Sequence, residues 1–320
     1  MVVLLLILGF VLLVKGADFL VDGASSLAKK LKISELAIGL TVVAFGTSTP
    51  ELVVNIMASA RAEPVYDEVV FGNIIGSNNF NLLLILGVTG LIYPITVQVK
   101  TVWKEIPYSI LAGLILLLLV NDSLLWNKSD NLLAPAEGII LLLFFALFMI
   151  YILLNLRAET EQGLADTKVF GMSRTLIYII AGLAGLIFGG RLVVKNAVEI
   201  AGRLGVSEKF IGLTIVSIGT SLPELATSVV AIIKRKSDLA IGNVIGSNIF
   251  NIFFIMGISG IISPLVYDTA FNTDLLVYIF CTTFLFIAMF TGGKRKLDRW
   301  EAGILLLFFA AYMTFLVWRK

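Results

Sequence analysis

The chain has 320 residues, 58% of them hydrophobic and only 14% charged, with a formal net charge of +2 and no histidine. Soluble domains run about 45–50% apolar and about 25% charged, so this composition excludes an ordinary water-soluble globule. The small net charge, with no basic cluster, excludes a nucleic-acid footprint, and the missing histidine removes His-ligated zinc, Ser-His-Asp chemistry and imidazole proton relays.

Apolar segments fall near 1–20, 34–60, 68–92, 103–121 and 133–156, then near 174–194, 207–233, 239–263, 273–291 and 299–318. Runs of this length cross about 30 Å of hydrocarbon as helices. The first lacks a charged n-region and a small-residue cleavage site, so it is expected to remain as a helix. Lys15 and Asp18 read as side chains snorkelling from the end of that helix, and Glu35 and Glu208, each after a serine, as helix-start residues. Phe144–Phe145, Phe308–Phe309 and the single cysteine, Cys281, read as packing or lipid-facing groups.

The two sets of five are copies of one unit. Ile38–Leu52 reads IGLTVVAFGTSTPEL and Ile211–Leu225 reads IGLTIVSIGTSLPEL; Gly72–Pro94 and Gly242–Pro264 share GN-x-IGSN-x-FN; Gly16–Glu35 echoes Gly189–Glu208. Pro-Glu, Gly-Asn and Ser-Asn recurring in register mark a duplication. The chain therefore divides into a first five-helix repeat at 1–156, a polar linker at 157–173 and a second repeat at 174–320. An odd number of crossings per copy inverts the second copy in the membrane, as in many secondary transporters. The predicted fold class is an all-α integral membrane protein of ten transmembrane helices, built as two inverted repeats with helices 2 and 7 broken. Alternating connections put roughly twice as many Lys and Arg on one side, among them Lys29, Lys30, Lys234, Arg235 and Lys236, which makes that side cytoplasmic and both termini extracytoplasmic.

Gly46-Thr47-Ser48-Thr49-Pro50-Glu51 and Gly219-Thr220-Ser221-Leu222-Pro223-Glu224 interrupt apolar segments. Proline removes a backbone donor and glycine loosens the same turn, so the helix should break there and free carbonyls near Ala44–Thr47 and Ser217–Thr220. Such carbonyls are tolerable at membrane depth only where they line a cavity or meet an ion. A carboxylate at that depth costs at least about 2.5–3.5 kcal/mol, and no Lys or Arg lies nearby in these segments, so Glu51 and Glu224 call for a bound cation. Ser77 and Asn81 share a helical face, as do Ser247 and Asn251, and Gly72, Gly76, Gly242 and Gly246 should allow close helix contact. Asn78 and Asn248 read equally well as ligands or as hydrogen-bonding glue. Carboxylates, hydroxyls and carbonyls form an all-oxygen set that suits a hard cation such as Ca²⁺, which takes about 6–8 such ligands. The same oxygens could hold Na⁺ or protons, the basis of an exchange.

These paired GTS-x-PE and GSN-x-x-N motifs resemble the two alpha repeats of the Ca²⁺/cation antiporter superfamily, in its sodium/calcium exchanger branch of prokaryotic type. The resemblance covers nearly the whole chain. It implies Na⁺/Ca²⁺ exchange by alternating access, with Glu51, Glu224 and the Thr47 and Thr220 carbonyls on Ca²⁺. It also implies that Ser48, Ser221, Ser77, Ser247, Asn81 and Asn251, with carbonyls near Ala44 and Ser217, complete the Na⁺ sites. Many relatives carry Asp at one of the positions held here by Asn81 and Asn251, so stoichiometry, proton competition and K⁺ dependence stay open. The alternatives are an H⁺/Ca²⁺ antiporter and a cation channel. No cofactor is implied beyond the carried Ca²⁺ and Na⁺, nor nucleic acid or an obligate protein partner. No nucleophile–base pair supports an enzyme. The expected location is the cell (plasma or inner) membrane.

Overall fold

The computed structural model describes residues 2–61, 63–99, 101–123, 130–155, 169–203, 217–292 and 295–319. Most of the expected linker, the start of the segment at 207–233 and Glu208 lie outside these. The described chain is helical apart from four two-residue strands. In order these are α1 (Val2–Leu31), α2 (Glu35–Ile38), α3 (Ala44–Thr47), α4 (Thr49–Ser59), α5 (Pro64–Phe80), α6 (Leu86–Ile92), β1 (Ile95–Thr96), α7 (Ile106–Leu119), β2 (Leu132–Leu133) and α8 (Pro135–Leu154). There follow α9 (Met172–Arg203), α10 (Ser217–Thr220), α11 (Leu222–Ile233), α12 (Ser237–Ile249), α13 (Met256–Ile262), β3 (Leu265–Val266), α14 (Phe271–Ala288), β4 (Lys296–Leu297) and α15 (Arg299–Trp318). Eight helical stretches among the described residues are long and apolar enough to cross a membrane, and nine if the pair bent by 48° at Ser48 is one span.

Among the described residues four π-helical turns adjoin the α-helices, at Gly39–Val43, Asn81–Ile85, Thr101–Glu105 and Phe250–Ile255. Two coincide with the last asparagines of the repeated GSN-x-x-N motifs. Such turns are rare and concentrate at functional sites, because the extra residue re-aims the side chains around it.

The residues form two compact units, Met1–Pro50 with Asn155–Gly246, and Glu51–Leu154 with Ser247–Lys320. Each draws on both sequence copies, and two of the three divisions, Pro50/Glu51 and Gly246/Ser247, fall inside the repeated motifs. In the first unit, α1 and α9 pack antiparallel at backbone contact. A Cβ on Gly9 would lie 3.1 Å from the Gly189 carbonyl oxygen, one on Gly16 2.7 Å from Leu186 N, and one on Gly23 3.0 Å from Ile179 N. The partner number falls as the α1 number rises. In lipid, apolar side chains gain little by leaving a neighbour as greasy as themselves, so helices associate by close packing, and small residues supply it. Ser26 Oγ and Thr175 Oγ1, 2.9 Å apart, close this seam at one end. Both helices outrun their apolar cores: α1 continues through Lys29 and Lys30 to Leu31, and α9 to Arg203.

The same unit shows what the charges near the end of α1 do. Asp18 does not simply snorkel: Lys234 Nζ lies 2.5 Å from Asp18 Oδ1 and 2.6 Å from Asp22 Oδ1. Glu35 does start a helix, with Ser34 as its cap, and it also pairs with Lys236 at 2.8 Å.

In the second unit the short strands tie one copy to the other. β1 pairs antiparallel with β4, Ile95 opposite Leu297, and β2 with β3, Leu133 opposite Leu265. Phe144 stacks on Phe253, Phe145 packs against Phe250 and Phe254, and Phe309 against Phe80, so these aromatics are packing groups, as is buried Cys281.

The expected close contact is met at two motif glycines. A Cβ on Gly242 would lie 3.1 Å from Gly39 Cα, and one on Gly246 2.7 Å from Leu40 Cα. Thermal unfolding of the purified protein tests the packing of α1 on α9. Gly182→Leu, whose Cβ would meet Leu20 N at 2.6 Å, should cost about 1–3 kcal/mol or more, because backbone cannot give way. Parent-like stability of Gly182→Leu would contradict the seam.

Candidate functional site

Both repeated breaks have the same local geometry. Ser48 ends α3 with φ −81° and ψ 8°, and Ser221 precedes α11 with φ −88° and ψ 5°. This bridge conformation is sparsely populated, and both copies adopt it two residues before a proline. Pro50 has no N–H to offer the Gly46 carbonyl, nor Pro223 the Gly219 carbonyl. The freed group is thus Gly46, not Ala44: the Ala44 carbonyl accepts Ser48 N at 3.0 Å and Thr47 Oγ1 at 3.3 Å. The backbone of Ser217 opens α10, which ends at half-buried Thr220. Helix α9 presses on both glycines, so a Cβ on Gly46 would come within 2.4 Å of Leu183 and one on Gly219 within 2.2 Å of Val194.

In the first unit, Glu224 on α11 is fully buried, as are Thr47, Ser48 and Ser221. Ser48 Oγ donates to Glu224 Oε1 at 3.0 Å, so a hydroxyl from the first motif lies on the carboxylate of the second. Glu224 Oε2 has no hydrogen-bond partner among the described residues, and none of their ion pairs involves Glu224. Asn243 supports this turn from behind. Its Nδ2 donates to the Glu224 carbonyl oxygen at 3.3 Å and to Ser228 Oγ at 2.9 Å, while its Oδ1 accepts from Thr47 Oγ1 at 3.1 Å.

The second unit repeats that support around Glu51, also fully buried. Asn73 Nδ2 donates to Asn55 Oδ1 at 2.7 Å and to the Glu51 carbonyl oxygen at 3.4 Å. Ser77 Oγ donates to Glu51 Oε1 at 3.4 Å and accepts from Asn251 Nδ2 at the same distance. The asparagines of the two copies interlock: Asn251 Nδ2 donates to Asn78 Oδ1, and Asn81 Nδ2 to Asn248 Oδ1, both at 2.9 Å, while Asn78 Nδ2 donates to the Asn248 carbonyl at 3.2 Å. Asn78 and Asn248 thus hold Asn251 and Asn81 in place. With their nitrogens engaged, Asn81 and Asn251 present carbonyl oxygens: Asn81 Oδ1, Asn251 Oδ1 and Ser247 Oγ are buried without hydrogen-bond partners among the described residues. Interhelical hydrogen bonds in membranes average about 0.6 kcal/mol, so such a network orients groups more than it adds stability.

Four of these residues escaped the sequence reading. Asn73 and Asn243 recur in both copies, a signal that was present. Asn55 and Ser228 stand at matching positions, four residues after each glutamate, but differ in type, so the repeat comparison gave no signal there.

Among the described residues no group of three or more Asp, Glu, His or Cys gathers that could hold a metal ion. A cation here would draw most of its ligands from neutral oxygens around one or two carboxylates, which suits a hard ion.

Comparison with known proteins identifies the family. Residues 1–154 and 174–318 match the family model described as sodium/calcium exchanger protein. The chain is 32% identical over 349 residues to the sodium/calcium exchanger MaX1 of Methanosarcina acetivorans, covering 98% of this chain and 97% of that one. It is 37% identical over 289 residues to the inner membrane protein YrbG of Escherichia coli, covering 86% of each. The solved structure of the sodium-calcium exchanger NCX_Mj soaked with Na⁺ and Sr²⁺ superposes with a TM-score of 0.83 at 29% identity, over 98% of this chain and 97% of that one. On these matches the chain belongs to the sodium/calcium exchanger protein family.

Proposed function

We propose that this protein exchanges Ca²⁺ for Na⁺ across a cell membrane by alternating access, a transporter and not an enzyme. The observation that carries the reading is the duplicated break, Ser48 and Ser221 in one backbone conformation, each followed by Pro-Glu with the carboxylate fully buried. In hydrocarbon an acid without a cationic partner is costly, and an exchanged metal ion supplies that partner in each half of the cycle. Ten transmembrane helices in two inverted five-helix repeats, 1–156 and 174–320 about a linker at 157–173, are part of the proposal. The antiparallel packing of α1 on α9, equivalent helices of the two copies, supports the inversion. The excess of Lys and Arg on one side supports extracytoplasmic termini.

Glu51 and Glu224 are the proposed Ca²⁺ carboxylates, together balancing its charge, with the Thr47 and Thr220 carbonyls. Ser48, Ser77, Ser221, Ser247, Asn81 and Asn251 complete the Na⁺ ligands, joined by carbonyls near Ala44 and Ser217. At Ala44 the carbonyl already accepts from Ser48 N and Thr47 Oγ1, so an ion there would take the place of the Thr47 hydroxyl. The name of MaX1 supports Na⁺ as the counter-ion. Protons are the competing choice, because each carboxylate could be neutralised by H⁺ instead.

Flux into proteoliposomes under Na⁺, H⁺ or K⁺ gradients imposed in turn separates these. A Na⁺ gradient alone should drive ⁴⁵Ca uptake, and uptake driven only by a pH gradient would replace Na⁺ with H⁺. Glu51→Gln and Glu224→Gln should each abolish exchange in protein that still folds and inserts; normal exchange in either removes that residue from the site. Asn81→Asp or Asn251→Asp adds an ionisable ligand and should make transport more sensitive to acid, with protons competing below the carboxylate pKa. Unchanged pH and Na⁺ dependence in both would leave these asparagines as structural ties only.

A further inference from the structure

Helix α11 carries a second buried oxygen that its own structure does not use. Thr227, three residues after Glu224, is fully buried, and its Oγ1 has no hydrogen-bond partner among the described residues. Threonines in the helices of this chain ordinarily turn the hydroxyl onto the carbonyl four residues back: Thr41 to Ala37, Thr89 to Ile85, Thr282 to Tyr278, Thr283 to Ile279 and Thr314 to Ala310, at 2.6 to 2.8 Å. Two threonine rotamers are open in a helix, one of which makes that bond. Thr227 could reach the Pro223 carbonyl in the same way and does not.

Residues three apart on a helix are surface neighbours, with Cβ atoms about 5–6 Å apart. The idle hydroxyl therefore shares a face with Glu224, whose Oε2 is also without a partner among the described residues. At the matching position of the first copy, three residues after Glu51, stands Val54, of nearly the same shape but without oxygen. At this position the two copies differ by that oxygen. A buried hydroxyl left unpaired is destabilising. A hard cation at Glu224 would remove that cost.

We infer that Thr227 is an additional neutral oxygen ligand for the cation held at Glu224, a determinant of ion affinity that the second copy has and the first lacks. The inference rests on the proposed cation site at Glu224. It is tested on the purified full-length protein by calorimetric titration with Ca²⁺ and, separately, with Na⁺, together with thermal unfolding in the absence of either ion. Thr227→Val should weaken binding of at least one ion about tenfold, the loss of one contact to a charged group, while ion-free unfolding stays the same or moves up. Thr227→Ser, which keeps the hydroxyl, should bind as the parent. Parent-like affinity of Thr227→Val for both ions, alongside lost binding in Glu224→Gln, would overturn the role of Thr227 and leave the site standing. Parent-like binding in Glu224→Gln would overturn the site itself, and the inference with it.

Discussion

Glu224 is a fully buried acid on a helix with proline in its first turn, and the first unit is arranged around the cost of that placement. The break at Ser221–Pro223 takes backbone hydrogen bonds away where the carboxylate needs dipoles around it. Ser48, at the matching break of the other copy, covers one carboxylate oxygen at 3.0 Å, and Asn243 holds the carbonyl of Glu224. Both breaks are clamped by α9, which packs on Gly46 and Gly219 and, along its other contacts, on the glycines of α1. Removing a clamp would let an unsatisfied turn open in lipid, where no water waits to pair it.

Duplication lets the same physical task be compared in two sequences. Asn73 and Asn243 each donate to the carbonyl of the buried glutamate and to the residue one turn on, which is Asn55 in one copy and Ser228 in the other. The acceptor matters and the residue type does not. Where the copies differ without a shared role, as at Val54 and Thr227, the difference marks a place where the two halves need not treat an ion alike.

Much of this was legible in the residues. Proline and glycine inside apolar runs located both breaks, since their backbone effects need no tertiary context. The spacing of Ser77 and Asn81 placed them on one face, and the motif pair indicated the family. What escaped depends on partners distant in the chain. The π-helical turns at Asn81 and Phe250 leave no local signature, because the extra residue is accommodated by packing. That Ala44 keeps its helical bond, and that Asp18 is held by Lys234 more than two hundred residues away, follow from three-dimensional neighbours alone. Asn78 and Asn248 were equally readable as ligands or ties, and only the interlocked amides distinguish the two.

The central claim is that the buried oxygens around Glu224 take up the carried cation. Anomalous diffraction from crystals soaked with Sr²⁺ in place of Ca²⁺ tests it most directly. The expected result is a peak within about 3 Å of the Glu224 carboxylate, close to the 2.3–2.6 Å of Ca²⁺–oxygen contacts, lost when Na⁺ is raised. Peaks confined to exposed acids, with Glu224 unliganded, would contradict it.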